Sequence, residues 1–207
     1  MIQDKDYTII GIQGDQIDIM VEGMSVKGRI TLRDRRNIAV EIISPFSGIS
    51  EQSSCIPLLG LQVHNFLGKA GDERAASLLC MLYRFCRYVD GHKERLLAAL
   101  NDYKYKVAYA KHFSPEAKEL AQRRTTALEN LLAIRKELKA GLINNVEYQR
   151  RIVPLNKDMK LLTEELEIDL DGIFDKCFNS FWNTPVWELS RKTVLAYLEK
   201  IIKSEKH

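Results

Sequence analysis

This chain of 207 residues contains no long apolar run, and only four of its residues are cysteines. None of the four cysteines forms a C-x-x-C pair, so the sequence favours reduced thiols over a disulfide framework. No apolar run reaches the length of about 18 residues that a membrane-spanning helix needs, so we expect no membrane span. The N-terminus has no basic stretch followed by a long apolar one; we therefore expect no secretory signal and a cytoplasmic location.

The sequence also lacks the motifs of common enzyme classes, namely H-E-x-x-H, G-x-S-x-G, the P-loop and G-x-G-x-x-G. Its formal net charge is only +3, well short of the strong basic excess that is typical of nucleic-acid-binding proteins. We therefore name no catalytic residue, no metal ligand and no cofactor. A non-enzymatic protein is the favoured interpretation, although a missing motif does not exclude an enzyme.

The sequence does contain, near its N-terminus, three short runs in which apolar and polar residues alternate. Strict alternation of this kind predicts half-buried strands. Gly14-Asp15, Glu22-Gly23 and the stretch over residues 34–37 supply the predicted turns. We predict an antiparallel meander of about four strands over residues 6–44, followed by a connector over residues 45–71. The alternating apolar residues are Ile17, Ile19 and Val21, then Val26, Ile30 and Leu32, then Ile38, Val40 and Ile42.

Helical spacing of apolar residues begins near residue 72, so the predicted fold class is α+β. One helix is expected before Asp90-Gly91 and a second helix after it. A third begins at Ser114-Pro115 and ends near Ala140. A last helix is expected after Thr184-Pro185. The apolar side of the third helix is predicted to carry Leu120, Leu128, Leu131, Ile134 and Leu138.

Four parts are predicted along the chain. They are a small β-meander or barrel-like domain over residues 1–60, a two-helix region packing on it over 61–112, a long antiparallel helical hairpin over 113–183, and a C-terminal helix over 184–207.

The turn of the predicted hairpin has a clear sequence signature. Gly141 can adopt the left-handed conformation that ends a helix. Asn144 fits an N-cap, and Glu147 follows three residues later, where it can bond to the backbone of the cap. These three residues predict that one helix ends and another begins within about four residues.

The helix after this turn carries an apolar seam in which residues alternate in steps of four and three. A continued period suggests that this helix extends to about residue 182. The seam is expected to expose more apolar surface than one partner helix covers, which favours self-association or a protein partner. The seam residues are Tyr148, Ile152, Leu155, Met159, Leu162 and Leu166.

Residues 135–160, RKELKAGLINNVEYQRRIVPLNKDMK, resemble the SHOCT family of short helical hairpins. The matching positions of its turn motif are Gly141, Leu142, Ile143, Glu147 and Tyr148. Asn144 stands where the family usually has threonine, and Val146 where it has its first glutamate. The resemblance covers about an eighth of the chain and implies an oligomerisation or interaction element without catalytic residues.

Four arginines, Arg29, Arg33, Arg35 and Arg36, lie at the end of a predicted strand and in the turn after it. Guanidinium groups in a rigid turn suit phosphate, because each can donate two parallel hydrogen bonds. The spacing of Arg29 and Arg33 is similar to the arginine motif of PilZ domains, but the second motif of that family is missing. The leading hypothesis is therefore an interaction or oligomerisation module that uses the hairpin. The alternative is a module that binds a nucleotide or nucleic acid through the basic turn.

Overall fold

A computed structural model describes residues 6–34, 37–54, 68–162 and 166–205 of the chain. The fold is α+β, as predicted, with five strands followed by five α-helices among these residues. Two compact units are present, one formed by Met1–Asn101 with Phe174–His207 and the other by Asp102–Ile173. The unit boundaries fall inside two of the helices, so each unit is described by itself below.

The first unit contains an antiparallel sheet in which each strand pairs with the next along the chain. Its strands are β1 (Thr8–Gln13), β2 (Gln16–Val21), β3 (Met24–Asp34), β4 (Asn37–Ser44) and β5 (Ser50–Ser54). The alternation in β2 places Ile17, Ile19 and Val21 in the core, because successive side chains of a strand point to opposite faces. The predicted meander is confirmed, with one strand more than expected.

Strand β5 lies in the segment that we interpreted as a connector. Its sequence, SEQSS, has no apolar alternation, so the usual strand signal is missing. Pairing with β4 supplies its backbone hydrogen bonds instead. Glu51 is buried at 6% exposure, and its carboxylate accepts hydrogen bonds from the backbone N–H of Gln52 and of Ser190. The strand thus exists because of tertiary contacts rather than local sequence preference.

Helix α1 (Gly68–His112) occupies the region where two separate helices were predicted. The two are merged across His92, whose φ of −132° and ψ of 22° are not helical. Asp90-Gly91 therefore produces a local kink rather than a break, which agrees with the low helix propensity of glycine. The apolar face of α1 packs in the first unit and includes Leu78, Leu79, Leu82, Phe85 and Val89, all of which are buried.

The C-terminal part of the first unit begins within α4 (Leu170–Phe178), at Phe174, and continues with two short 3₁₀ turns and α5 (Arg191–Ser204). Stacked and tilted rings fill its core: the ring centroids of Phe174 and Phe178 are 4.3 Å apart, and Phe181 packs 6.0 Å from Phe178. The predicted helix start at Thr184-Pro185 is wrong, because Pro185–Trp187 forms only a 3₁₀ turn.

Helix α5 begins at Arg191, where the Ser190 hydroxyl accepts a hydrogen bond from the N–H of Thr193. An N-cap bonded in this way satisfies one of the free N–H groups of the first helical turn. A proline at the first position of a turn fits a helix start but does not by itself continue the helix. The capping serine therefore sets the start of α5, further along the chain than Pro185.

Helices α2 (Pro115–Lys139) and α3 (Asn145–Leu161) form the hairpin of the second unit. Arg151 near the start of α3 pairs with Glu137 near the end of α2, whereas Arg124 of α2 donates to the Leu162 carbonyl just after α3. Contacts between the end of one helix and the start of the other require an antiparallel pair.

The expected extension of α3 to residue 182 is wrong. Residues 166–169 are not helical, and the next helix begins at Leu170. The Asp169 carboxylate accepts a hydrogen bond from the Gly172 N–H at 2.8 Å, which caps the new helix. The apolar period of the sequence continues through this segment, but the capped start at Asp169 marks a separate helix.

A candidate interaction surface on the helical hairpin

The turn between α2 and α3 is built from two complementary helix ends. The N–H of Leu142 donates to the Glu137 carbonyl and the N–H of Gly141 to the Leu138 carbonyl, which together form a Schellman motif. Gly141 has a φ of +70°, a conformation that side chains with a Cβ rarely adopt. On the other side of the turn, the Asn144 side chain accepts from the Glu147 N–H at 2.9 Å. The turn therefore satisfies backbone groups that two helix ends leave open.

The seam of α3 lies against α2, not against solvent. Ile152 is buried, and the predicted seam residues Tyr148, Leu155, Met159 and Leu162 are half-buried. Leu166 is half-buried as well, but it follows the end of α3. Helix α2 thus covers the apolar surface of α3 that we expected to be in excess.

The facing seam of α2 also repeats in steps of three and four. Leu128, predicted to belong to it, is 50% exposed, and the neighbouring Ala127 takes its place in the seam. Ala127 is 8% exposed, so this small side chain is buried in the hairpin. The buried or half-buried seam residues of α2 are Ala117, Leu120, Arg124, Ala127, Leu131, Ile134 and Leu138.

An ion pair joins the two helices along one flank of the seam. Arg151 Nη1 lies 2.5 Å from Glu137 Oε2. Each of these residues directly precedes a seam residue, so each is rotated by about 100° from its seam in the same sense. Arg151 and Glu137 contact each other. The faces of α2 and α3 that carry residues directly before a seam residue therefore lie on the same flank of the hairpin. We call this the ion-paired flank.

The opposite flank carries residues that directly follow a seam residue. Leu128, Leu132 and Val153 hold such positions, and they are 50%, 46% and 61% exposed. We call these three residues the apolar flank. Leu128 and Leu132 are one helical turn apart on α2, and the register of the hairpin places Val153 near the height of Leu132. Isolated exposed apolar residues are normal, but here three such residues share one flank of the hairpin.

Charge is divided unequally between the two flanks. On the side of the apolar flank, every charged residue of α2 and α3 that directly follows a seam residue is basic: Lys118, Arg135, Lys139 and Lys160. On the ion-paired flank the charged residues are mostly acidic, namely Glu116, Glu119, Glu137, Glu147 and Asp158, against Arg123 and Arg151. The hairpin therefore presents one basic apolar side and one acidic polar side.

The arginine cluster is described only in part. Arg29 lies in β3, and its Nε is 3.5 Å from the Asp15 carboxylate, with both side chains more than half exposed. Arg33 is in β3, but its side chain lies outside the described residues, as do Arg35 and Arg36 entirely. Exposed ion pairs contribute little free energy, and here the pair offsets the charge of Arg29.

Two thiols of the first unit are buried on α1. Desolvation raises the pKa of Cys86 to about 11, against a lowering contribution from its hydrogen bond with Tyr197. Burial likewise raises the pKa of Cys80 to about 11, although the positive charge of Arg84 opposes the shift. Thiols that stay protonated at neutral pH are poor nucleophiles and poor metal ligands. These two cysteines therefore act as small apolar core residues at neutral pH.

Two further kinds of feature are missing from the described part of the chain. No group of three or more His, Cys, Asp or Glu side chains is arranged to hold a metal ion there. Among the same residues, no helix combines the length and hydropathy that crossing a membrane would need.

The sequence patterns did not predict the apolar flank. Ala127 and Leu128 are adjacent, so the two possible seams of α2 differ at this point by only one position. A strict step of three and four from Leu131 back to Arg124 passes through Ala127, and that signal favours the observed seam. The predicted apolar side instead contained Leu128, which is the larger of the two adjacent residues. Counting steps from an anchored residue such as Leu131 would have placed Leu128 and Leu132 on the outside.

Comparison with protein-family models, curated protein sequences and solved structures finds no match to this chain.

Proposed function

We propose that this chain is a non-enzymatic protein-interaction module that docks other protein surfaces through the apolar flank of its α2–α3 hairpin. The observation that carries the proposal is the exposure of Leu128, Leu132 and Val153 on one flank, opposite a flank that an interhelical ion pair occupies. The resemblance of residues 135–160 to the SHOCT family supports the same role, because it implies an oligomerisation or interaction element.

The physical reason is the incomplete cover of a two-helix hairpin. Each helix shields only one side of its neighbour, so residues beside the seam remain in water unless a third element packs on them. Burying apolar surface stabilises an association by about 25 cal/mol per Å². Of the two flanks, only the one without an ion pair gains from such burial, since the other would have to desolvate Arg151 and Glu137.

The alternative, a nucleotide- or nucleic-acid-binding module, has weaker support. Arg29, which belongs to its arginine cluster, pairs with Asp15, and this pairing offsets part of the positive charge that a phosphate would need. The sharpest test of the main proposal also separates the two, because it reads protein contacts at the hairpin and not at β3.

Site-specific photocrosslinking in cells tests the proposal. A photoreactive amino acid placed at Leu132 is expected to give discrete products of higher mass, because this position lies on the apolar flank. The matched control is Ala133, which is also exposed but belongs to the other flank. Equal yields at the two positions, or no products from Leu132 together with a purified chain that stays monomeric at tens of micromolar, would contradict the proposal.

A further inference from the structure

The charges around the apolar flank indicate which kind of protein surface fits it. Arg135 and Lys139 follow Leu132 on the same side of α2, at steps of three and four residues, and both are exposed. Lys118 and Lys160 add positive charge towards the other end of the hairpin. Within α2 and α3, none of the positions that directly follow a seam residue holds Asp or Glu. A partner that covers Leu128, Leu132 and Val153 therefore meets positive charge at its edges.

A second copy of this flank does not complement it. Two identical flanks that pack face to face would bring basic residues against basic residues, which disfavours association. The acidic flank of another copy has the right charge, but none of its described side chains is both large and apolar and exposed: the exposed positions are polar or small, such as Thr126, Asn130 and Ala133. Neither arrangement combines apolar burial with opposite charge.

We propose that the apolar flank binds an amphipathic helix of another protein, whose apolar stripe is bordered by Asp or Glu. Such a helix would lie along the apolar flank, beside both α2 and α3, and add a third helix to the hairpin. Its apolar residues, at steps of three and four, would cover Leu128, Leu132 and Val153. Its acidic border would face Arg135 and Lys139. This inference rests on the proposed docking function and specifies the chemistry of the partner.

A pair of synthetic peptides tests the inference with the full chain. One peptide is an amphipathic helix with leucines at steps of three and four and glutamates on both borders, and its twin carries lysine at every glutamate position. Fluorescence anisotropy is expected to show the acidic peptide binding about tenfold more tightly, as two or three partly exposed ion pairs would provide. Raising the salt concentration from about 50 to about 200 mM is expected to reduce this preference, because exposed charges are screened.

Variants of the chain assign the effect to the flank. The double change Arg135→Glu and Lys139→Glu is expected to reverse the preference between the two peptides. The control is Arg150→Glu with Lys157→Glu, which alters net charge equally at exposed positions away from this flank and is expected to leave the preference intact. Leu132→Ser is expected to weaken both peptides, since it removes apolar contact area.

The outcomes separate the inference from the function on which it rests. Equal binding of both peptides, or failure of the acidic peptide while crosslinking at Leu132 persists, overturns the acidic-helix inference alone. If the purified chain self-associates and Leu132→Ser abolishes this self-association, the occupant of the apolar flank is a second copy of the chain. This outcome also overturns the acidic-helix inference. Absence of peptide binding together with absence of crosslinks removes the docking function itself.

Discussion

Glu51 and Ser190 are separated by 139 residues in the chain, and a hydrogen bond joins them: the backbone N–H of Ser190 donates to Glu51 Oε2 at 2.8 Å. Ser190 is the N-cap of α5, so the buried carboxylate of β5 holds the start of that helix. A second contact strengthens the connection, because the Thr193 hydroxyl donates to the Ser50 carbonyl at 3.2 Å. The edge of the sheet thereby determines where the last helix begins.

Removal of this carboxylate is expected to destabilise the first unit. Glu51→Ala leaves the N–H groups of Ser190 and Gln52 without their acceptor, which costs about 1–3 kcal/mol of unfolding free energy. Glu51→Gln keeps one oxygen and is expected to cost less. Chemical denaturation measures both, with Glu41→Ala on the exposed side of β4 as the control. A loss no larger than that of the control would contradict the role assigned to Glu51.

Gly28 of β3 is expected to tolerate no side chain. A Cβ built at this position would lie 2.8 Å from Leu79 Cδ1 and 3.0 Å from the Glu41 carbonyl oxygen. Gly28→Ala therefore requires the Leu79 side chain and the neighbouring strand β4 to shift, and it is expected to cost about 1–3 kcal/mol. The matched control is Gly11→Ala in β1, where no atom lies within 4 Å of the added Cβ. Similar denaturation midpoints for the two variants would show that β3 and α1 are not in such close contact.

The hairpin turn is expected to depend on Gly141. Its φ of +70° disfavours a Cβ, so Gly141→Ala is expected to lower the unfolding free energy by about 1 kcal/mol. Asn144→Ala removes the N-cap of α3 and is expected to cost about 1 kcal/mol. Gly91→Ala is the opposite control: it lies in α1 with open space around it, so it is expected to stabilise by about 0.5–1 kcal/mol. Hydrogen exchange of the amides of α3 locates the effect.

The buried thiols are expected to make stability fall at alkaline pH. Burial raises the pKa of Cys86 to about 11, whereas the unfolded thiol ionises near 9.0. Between these values the folded state binds more protons than the unfolded state, so the unfolding free energy decreases as pH rises. The contribution is complete below the unfolded pKa of 9.0 and is lost as pH rises through the folded pKa of about 11. Cys80, whose pKa is also about 11, adds a decrease of the same sign.

Denaturation between about pH 8 and pH 11 measures this effect. Cys86→Ala is expected to reduce the slope by up to about 1.4 kcal/mol per pH unit, because one titrating group is removed. The offset between the variant and the parent chain at neutral pH controls for the lost packing of the side chain. Parallel curves for the two proteins would refute the assignment.

Local sequence patterns were sufficient for the elements whose signals are short in range. The alternation of Ile17, Ile19 and Val21 predicted a strand, and the signature at Gly141 and Asn144 predicted a turn between two helices. In these segments the backbone forms its hydrogen bonds with residues that are close in sequence. The spacing of the buried residues follows from the one face of the strand or helix that packs in the core. The α+β class follows from such segments alone.

Other features depend on residues far apart in the chain, and local patterns missed them. Strand β5 has a polar sequence and exists through its pairing with β4 and through the contact of Glu51 with Ser190. Ala127 rather than Leu128 enters the seam, because the packing of α3 and not side-chain size decides which face of α2 is buried. Sequence patterns were enough to locate the turn between α2 and α3. Which apolar residues of the hairpin face solvent follows instead from the packing of α3 on α2, because burial is a property of the assembled pair.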